Sequence, residues 1–428
     1  MRFNTLKQWL DWQLQLHCKS IDLGLERVAA VATRLGIVRI AGKVITVAGT
    51  NGKGSTVASY ETWLHNAGYS VASYTSPHLL QYNERIKFDR QMVSDDSLCT
   101  AFQAIDQARA EIALTYFEFG TLAALWLMQQ KQPDFAILEV GLGGRLDAVN
   151  IIDADLVHLT SIGIDHQNWL GDTREAIGYE KAGVLRENIP VVCNDSIPPQ
   201  SVIDEITRLH CNSLQYQKDF SMQQTDLPGA YLWKGLGQEF SITPILPGKH
   251  QVQNIAGVVA GLNLLLDKKQ ISPATLNKNF EGTELIGRFQ RIETPLAAEV
   301  YIDVGHNQDA ARVLAENLLM LKPKTGRLIV LLGMLEDKDS TKFAAELSAV
   351  ADVWWLLTLD CDRGLQATLL AQRISSRVAV DKCFGSIGKL LDHALSSLTN
   401  EDIMLVTGSF VTVELFLRAT SKTLNGLV

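Results

Sequence analysis

Apolar and polar positions along the chain follow two periods in alternation. Compact apolar runs at Val44–Ala48, Tyr69–Tyr74, Phe135–Val140 and Leu156–Ile162, with Val191–Cys193 as a fifth, predict strands buried on both faces. Helical stretches such as Gly120–Gln130 and Arg174–Arg186 separate them. This alternation is the signature of parallel α/β layers. The segment Leu214–Pro247, rich in Gly, Gln and Pro, breaks the rhythm and predicts a β-hairpin excursion, followed by a helix over Gln251–Leu266. After Glu281-Gly282-Thr283 the pattern restarts, with strands expected at Val300–Val304, Leu328–Leu332, Val353–Leu357 and Ile403–Val406. A domain boundary is expected near Glu284–Thr294, and no internal repeat or low-complexity tract is visible.

The first strand carries the chemistry. Val44–Ala48 runs into Gly49-Thr50-Asn51-Gly52-Lys53-Gly54-Ser55, and a helical pattern follows from Thr56 to about Ala67. A strand feeding a Gly/Lys/Ser loop and a helix N-terminus is a phosphate cradle: glycines let backbone N–H groups approach an anion, and the lysine adds a full charge. The spacing departs from G-x-x-x-x-G-K-[ST], because Gly54 separates Lys53 from Ser55. The expected fold is α/β. An N-terminal P-loop ATPase-type domain with a parallel-rich sheet covers residues 1–286, and a smaller Rossmann-like domain covers 287–428.

Composition narrows the partners. A formal charge of −8 over 428 residues argues against nucleic acid or an anionic membrane as the main partner. No apolar run reaches the roughly 18 residues of a membrane span. The N-terminus turns directly into an amphipathic Trp- and Leu-bearing helix, with no signal-peptide core. Six scattered cysteines without a C-x-x-C pair read as reduced, mostly buried thiols of a cytoplasmic protein.

In an open parallel sheet, ligands collect at the carboxyl ends of the strands. Polar residues gather there: Thr75-Ser76-Pro77-His78, Glu139 with the turn Gly141–Asp147, and Asp165-His166. Glu139 interrupts an apolar strand, which suits either a Mg²⁺ ligand or a partner for Arg145 across the glycine turn. Asp165-His166 and Ser76-Pro77-His78 fit turns as well as a site. Lys181 reads as an ordinary helical lysine. Ile302–Asn307 ends a strand of the second half in polar residues, where capping alone would also account for them. Arg288 is either a linker charge or a hinge arginine, and Asn254 either back-bonds within its helix or faces a cleft. Asp22 would serve as an N-cap, and Thr115 to Glu118 forms a capping box whose Tyr116 and Phe117 also suit the wall of a flat-ring pocket.

Together, GTNGKGS (Gly49–Ser55), TSPHL (Thr75–Leu79), LTYFE (Leu114–Glu118), EVGLGGRLDAVN (Glu139–Asn150), IDHQNWLG (Ile164–Gly171), EKAG (Glu180–Gly183), GRFQ (Gly287–Gln290) and DVGHN (Asp303–Asn307) resemble the bacterial dihydrofolate synthase/folylpolyglutamate synthase family, within the Mur ligase superfamily. The matches run in family order from about Asp22 to Thr407-Gly408-Ser409-Phe410. The resemblance implies ATP phosphates held by Gly49, Asn51, Gly52, Lys53, Gly54 and Ser55, with Asn254, Arg288, Asp303 and His306 as further ATP contacts. It implies two Mg²⁺ ions, one on Ser76 and Glu139 and another on His166, and a CO₂-derived carbamate on Lys181. Lys53, Lys181, His166 and Arg288 carry the catalytic expectation. Asp22, Leu23, Gly24, Leu25, Thr115, Tyr116, Phe117, Glu118, Leu146, Asp147 and Ala148 match a dihydropteroate pocket, which favours a bifunctional ligase acting on dihydropteroate, folates and L-glutamate. A monomer is expected. Ile286-Gly287-Arg288 and Gly305-His306-Asn307-Gln308 depart from the family's usual Pro-Gly-Arg and Ala-His-Asn-Pro, which changes backbone stiffness and leaves the chemistry in place.

Three other readings compete. A cell-wall Mur ligase would need a nucleotide-sugar domain where only 48 residues precede Gly49. A P-loop switch or transport ATPase leaves the second α/β half unexplained. A dinucleotide oxidoreductase relies on Gly141–Gly144, which lacks G-x-G-x-x-G spacing.

Overall fold

A computed structural model describes residues 2–425 apart from Cys18, Ser20, Pro228, Pro247, 268–270 and Lys324. It has two compact units. One holds the chain up to Gly163 with Leu170–Ile245 and Gln251–Glu284; the other holds Ile164–Trp169, Leu246–His250 and the chain from Leu285 on. Two short stretches of the first 286 residues therefore pack with the second unit.

In the first unit, eight strands form one sheet: β1 (Lys43–Ala48), β2 (Val71–Tyr74), β3 (Ile86–Phe88), β4 (Gln91–Met92), β5 (Phe135–Glu139), β6 (Leu156–Leu159), β7 (Pro190–Cys193) and β8 (Asn212–Gln215). Their order is β4-β3-β2-β5-β1-β6-β7-β8. Strands β2 through β8 in that order pair in parallel, while β3 and β4 add an antiparallel edge. The apolar runs are explained by double coverage. Alternate residues of β1 and β5 serve opposite faces: Val44, Ala136 and Leu138 join the core under helices Leu6–Leu16, Glu26–Arg34, Asp95–Arg109 and Tyr116–Lys131, while Ile45, Val47, Phe135 and Ile137 join the other core. That second core contains helix Lys53–Asn66, which is buried from Ser55 to Leu64 and so shows no polar face.

The excursion is larger than a hairpin. Residues from Leu214 begin in β8, the parallel edge of the main sheet, and a three-stranded antiparallel sheet follows: β9 (Phe220–Gln224), β10 (Tyr231–Gly235) and β11 (Gln238–Ile242). Trp233 anchors it, donating from Nε1 to the Ala256 carbonyl at 3.0 Å inside helix Lys249–Leu265. The far end of the expected excursion, Pro247, lies outside the described residues.

The second unit carries β12 (Gln290–Ile292), β13 (Glu299–Ile302), β14 (Leu328–Leu332), β15 (Val353–Leu357), β16 (Lys382–Phe384) and β17 (Ile403–Thr407), ordered β12-β13-β17-β14-β15-β16. All pairs are parallel except β12 with β13. The short strands β3, β4, β12 and β16 have no apolar run of their own to announce them. Among the described cysteines, Cys99 and Cys193 are buried, whereas Cys361 and Cys383 are exposed, so burial is less general than expected. No helix among the described residues is long and apolar enough to cross a membrane.

Candidate active site

The loop after β1 lies where β5 and β6 flank the strand on either side. It is laced to the end of β6: Thr50 N donates to the Ser161 carbonyl at 2.8 Å, and Ser161 Oγ to the Asn51 carbonyl at 3.2 Å. Two glycines make this fit possible. Gly49 has φ +147°, and a Cβ there would lie 1.8 Å from Thr160 Oγ1; Gly52 has φ +89°, and a Cβ would lie 2.6 Å from Asn254 Oδ1. Helix Lys53–Asn66 begins at Gly52 with no side-chain cap. A helix start without a side-chain cap can turn backbone N–H groups to an external acceptor, and the helix dipole adds to their pull on an anion.

Charges ring this loop. Lys53 Nζ donates to the Gly49 and Thr50 carbonyls, each at 3.1 Å. Lys181 is not a surface lysine: it is 4 % exposed and donates from Nζ to the Gly49 carbonyl at 2.8 Å. Glu139, at the end of β5 and 5 % exposed, accepts from Ser76 N at 3.0 Å. Arg145 lies over the Tyr179 ring at 4.1 Å and 3.9 Å from Glu180. Ser55 turns inward, its Oγ accepting from Gln251 Nε2, and Gln251 Oε1 in turn accepts from Asn254 Nδ2. A hard cation fits at Glu139, an anionic oxygen donor beside a phosphate cradle. Among the described residues no three His, Cys, Asp or Glu side chains converge. A Mg²⁺ here would therefore use one carboxylate and phosphate oxygens, its usual habit.

Near the start of helix Tyr116–Lys131, Thr115 and Glu118 form the expected capping box. Asp22 is not an N-cap. Helix Glu26–Arg34 starts from Leu25, three residues beyond Asp22, without a side-chain cap, and the Asp22 carboxylate pairs with Arg27 at 2.6 Å and Lys19 at 3.0 Å. The Lys19 hydrogen bond is the main reason its pKa is lowered; Arg27 and His17 add to it against burial. Arg27 also reaches Glu118 at 3.1 Å, tying the Asp22–Leu25 segment to Thr115–Glu118. The Phe117 ring lies against Gly141. Leu146 is exposed and Ala148 buried. Asp147 turns into its own loop, accepting from Leu142 N and Val149 N, and burial pushes its carboxyl up to about 6. It shapes the turn after Glu139 and does not present a free carboxylate.

In the second unit, Arg288 and Asp303 come together through the backbone. Asp303 accepts from Phe289 N at 2.8 Å and Gly305 N at 2.7 Å, and burial raises its pKa although Arg288 opposes the shift. Arg288 lies 5.5 Å from the Phe410 ring centroid. Asp165 forms a second focus: Lys338 Nζ at 2.6 Å, His306 Nε2 at 3.3 Å and Asn307 Nδ2 at 3.2 Å. Burial pushes the Asp165 carboxyl up, but His306, His166 and Lys338 outweigh it and hold it well below the usual carboxylate range. Asn307 caps helix Gln308–Leu321 as well, so the capping explanation for this strand end holds alongside the ion cluster. His166 sits in the same segment at φ +52°.

Two family models match, the Mur ligase middle domain over residues 47–262 and the Mur ligase glutamate ligase domain over 287–410. A dihydrofolate synthase/folylpolyglutamate synthase of Haemophilus influenzae is 40 % identical, covering 96 % of this chain and 97 % of its own length. The chain belongs to the dihydrofolate synthase/folylpolyglutamate synthase family. Solved structures agree. Escherichia coli FolC in complex with DHPP and ADP superimposes with TM-score 0.90 at 38 % identity, covering 98 % of each chain. A bifunctional folylpolyglutamate synthase/dihydrofolate synthase with Mn, AMPPNP and L-glutamate bound gives 0.88 at 37 % identity, covering 97 % of this chain and 98 % of that one.

For a member of this family, the geometry sorts the expected residues. Gly49 to Ser55, Ser76, Glu139, Lys181 and Asn254 gather in the first unit around the loop. Asp303, Arg288 and His306 belong to the second unit, with His166. Lys338, Gln251, Arg27 and Arg85 were not anticipated. Lys338 had a signal: it follows the end of β14 in Glu336-Asp337-Lys338-Asp339, a charged strand end like the others. Arg27 and Gln251 sit in helices and Arg85 at the end of the 3-10 turn Tyr82–Arg85, where sequence marks nothing.

Proposed function

We propose that this chain, an ATP-dependent ligase of glutamate to folates, acts both on dihydropteroate and on the γ-carboxylate of a reduced folate. The acceptor carboxylate attacks the γ-phosphorus of ATP, giving an acyl phosphate and ADP. The amine of L-glutamate then attacks that carbonyl and phosphate leaves. The observation that carries the reading is the helix start at Gly52 without a side-chain cap, with the Lys53 ammonium held on the carbonyls of the same glycine loop and the Glu139 carboxylate at the neighbouring strand end. The DHPP, ADP, AMPPNP, Mn and L-glutamate named for the solved relatives support the same substrates and metal.

Bound Mg²⁺ would supply charge neutralisation on the phosphate oxygens, held by Glu139 and Ser76. Lys53 and the loop N–H groups orient the phosphates, and such preorganised donors cost nothing to reorganise during reaction. Arg288, Asp303, His306 and Asn254 are assigned to the nucleotide, and His166 to a second Mg²⁺. Lys181 is proposed to carry a carbamate, which replaces a cation by an anionic oxygen donor; its burial beside Gly49 supports this, since a sealed ammonium next to a metal would repel it. Asp22–Leu25 and Thr115–Glu118, tied by Arg27, and the turn around Leu146 are assigned to the pterin. The protein is taken to work as a cytoplasmic monomer on small molecules, without nucleic acid or membrane partners.

Phosphate release with dihydropteroate, L-glutamate, ATP and Mg²⁺, omitting each in turn, tests this. Dependence on all four is expected. Release that persists without acceptor and glutamate would mean a simple ATPase.

A further inference from the structure

Arg85 ends the 3-10 turn Tyr82–Arg85, directly before β3, and is 7 % exposed. Its Nε donates to His78 Nδ1 at 2.9 Å, and its guanidinium lies 5.2 Å from the Tyr82 ring and 5.6 Å from the Tyr116 ring. Tyr74 is also beside it: burial pushes that phenol up to about 12 while Arg85 pulls the other way. No described carboxylate lies within ion-pair distance of it. The nearest in sequence, Glu84, is spent on the backbone N–H groups of Leu79, Leu80 and Gln81.

A buried guanidinium without a counter-ion is expensive, and flanking rings repay only part of that. With Nε on His78 and a further hydrogen bond to the Tyr74 hydroxyl, the remaining Nη donors still form a planar fork that matches a carboxylate. Place selects which one. His78 is two residues from Ser76, whose N–H holds Glu139, and Tyr116 precedes Phe117 on Gly141. The fork thus stands between the cation-binding strand end and an aromatic wall suited to a flat ring bearing a carboxylate.

We propose that Arg85 binds the carboxylate of the pteroyl acceptor and aims it for phosphorylation, with His78 and the two tyrosines holding the fork in place. This rests on the ligase function proposed above.

The test titrates dihydropteroate and its carboxamide, alike in shape but not in charge, into the full chain with Mg²⁺ and a non-hydrolysable ATP analogue. Wild type is expected to prefer the carboxylate on the order of tenfold to a hundredfold, the range for a lost charge-assisted contact. Arg85→Gln, and Arg85→Met as a second variant, are expected to bind both ligands alike, with KM for ATP and L-glutamate within about twofold of wild type. The ratio is read within each protein, so partial unfolding does not imitate it. Retention of the full preference in either variant overturns the role of Arg85 alone. Failure of wild type to bind dihydropteroate at all overturns the function and the inference with it.

Discussion

Lys338→Met removes one partner of the ion pair that holds segment Ile164–Trp169 in the second unit. The two side chains are 2.6 Å apart and 7 % and 10 % exposed. Methionine keeps the length and volume, so the packing is largely spared while the charge is lost. Breaking a buried pair from one side costs about 3–5 kcal/mol. His306 and Asn307 still touch Asp165, which places the expected loss near the lower end, about 3 kcal/mol or roughly a hundredfold in the unfolding equilibrium. The pH response follows with a definite sign. The Asp165 carboxyl is depressed in the folded chain, so its stabilisation is fully present above the ordinary aspartate value of about 4 and drains away as pH falls below it. In Lys338→Met that acid slope becomes shallower. Urea-dependent hydrogen exchange reads both effects, comparing peptides from β13–β17 with those from β1–β8 as an internal control. A loss under about 1 kcal/mol, or an equal loss in both sheets, refutes the argument that this pair secures the segment.

Lys53→Ala and Glu139→Ala should each lower phosphate release with either acceptor by about 3 kcal/mol, roughly a hundredfold; a variant keeping half of wild-type turnover has been given the wrong role. Lys181→Ala should be inactive and regain part of its activity with short carboxylic acids, whereas Lys181→Arg, which keeps charge and fills the space, should not; mass spectrometry finding Lys181 unmodified in active enzyme at saturating bicarbonate would sink the carbamate. Asp147, raised to about 6, keeps its proton in the folded chain between roughly pH 4 and 6 while the unfolded chain loses it, so its contribution to stability falls as pH rises through that window. Asp147→Asn should flatten that slope in urea midpoints taken from pH 4 to 7, and an unchanged slope would count against the burial of this carboxyl.

Local patterns were enough to read the layers, the phosphate loop and most strands, because these depend on short-range physics. A strand buried on both faces is apolar along most of its length, as β1 and β5 are apart from Lys43, Thr46 and Glu139, and a loop that admits an anion must be glycine-rich. The capping box at Thr115 is equally local, needing only Glu118 three residues on. Lys181 shows where such reasoning stops. Its helix positions look ordinary, and only the packing of helix Arg174–Ala182 under the loop turns its ammonium onto the Gly49 carbonyl. Asp22 does not cap because the helix starts only at Glu26, with Leu25 in the cap position, and its carboxylate pairs with Arg27 and Lys19 instead. The short strands β3, β4, β12 and β16 exist because a neighbouring strand offers its edge, a partner that no sequence window contains. Lys338 and Asp165 lie 173 residues apart, and Arg85 is noteworthy for a carboxylate it lacks. Residue type and spacing along the chain determine which groups can bind phosphate or metal. Which of those groups are buried, paired or left waiting for a substrate is decided by burial and charge compensation across the whole fold.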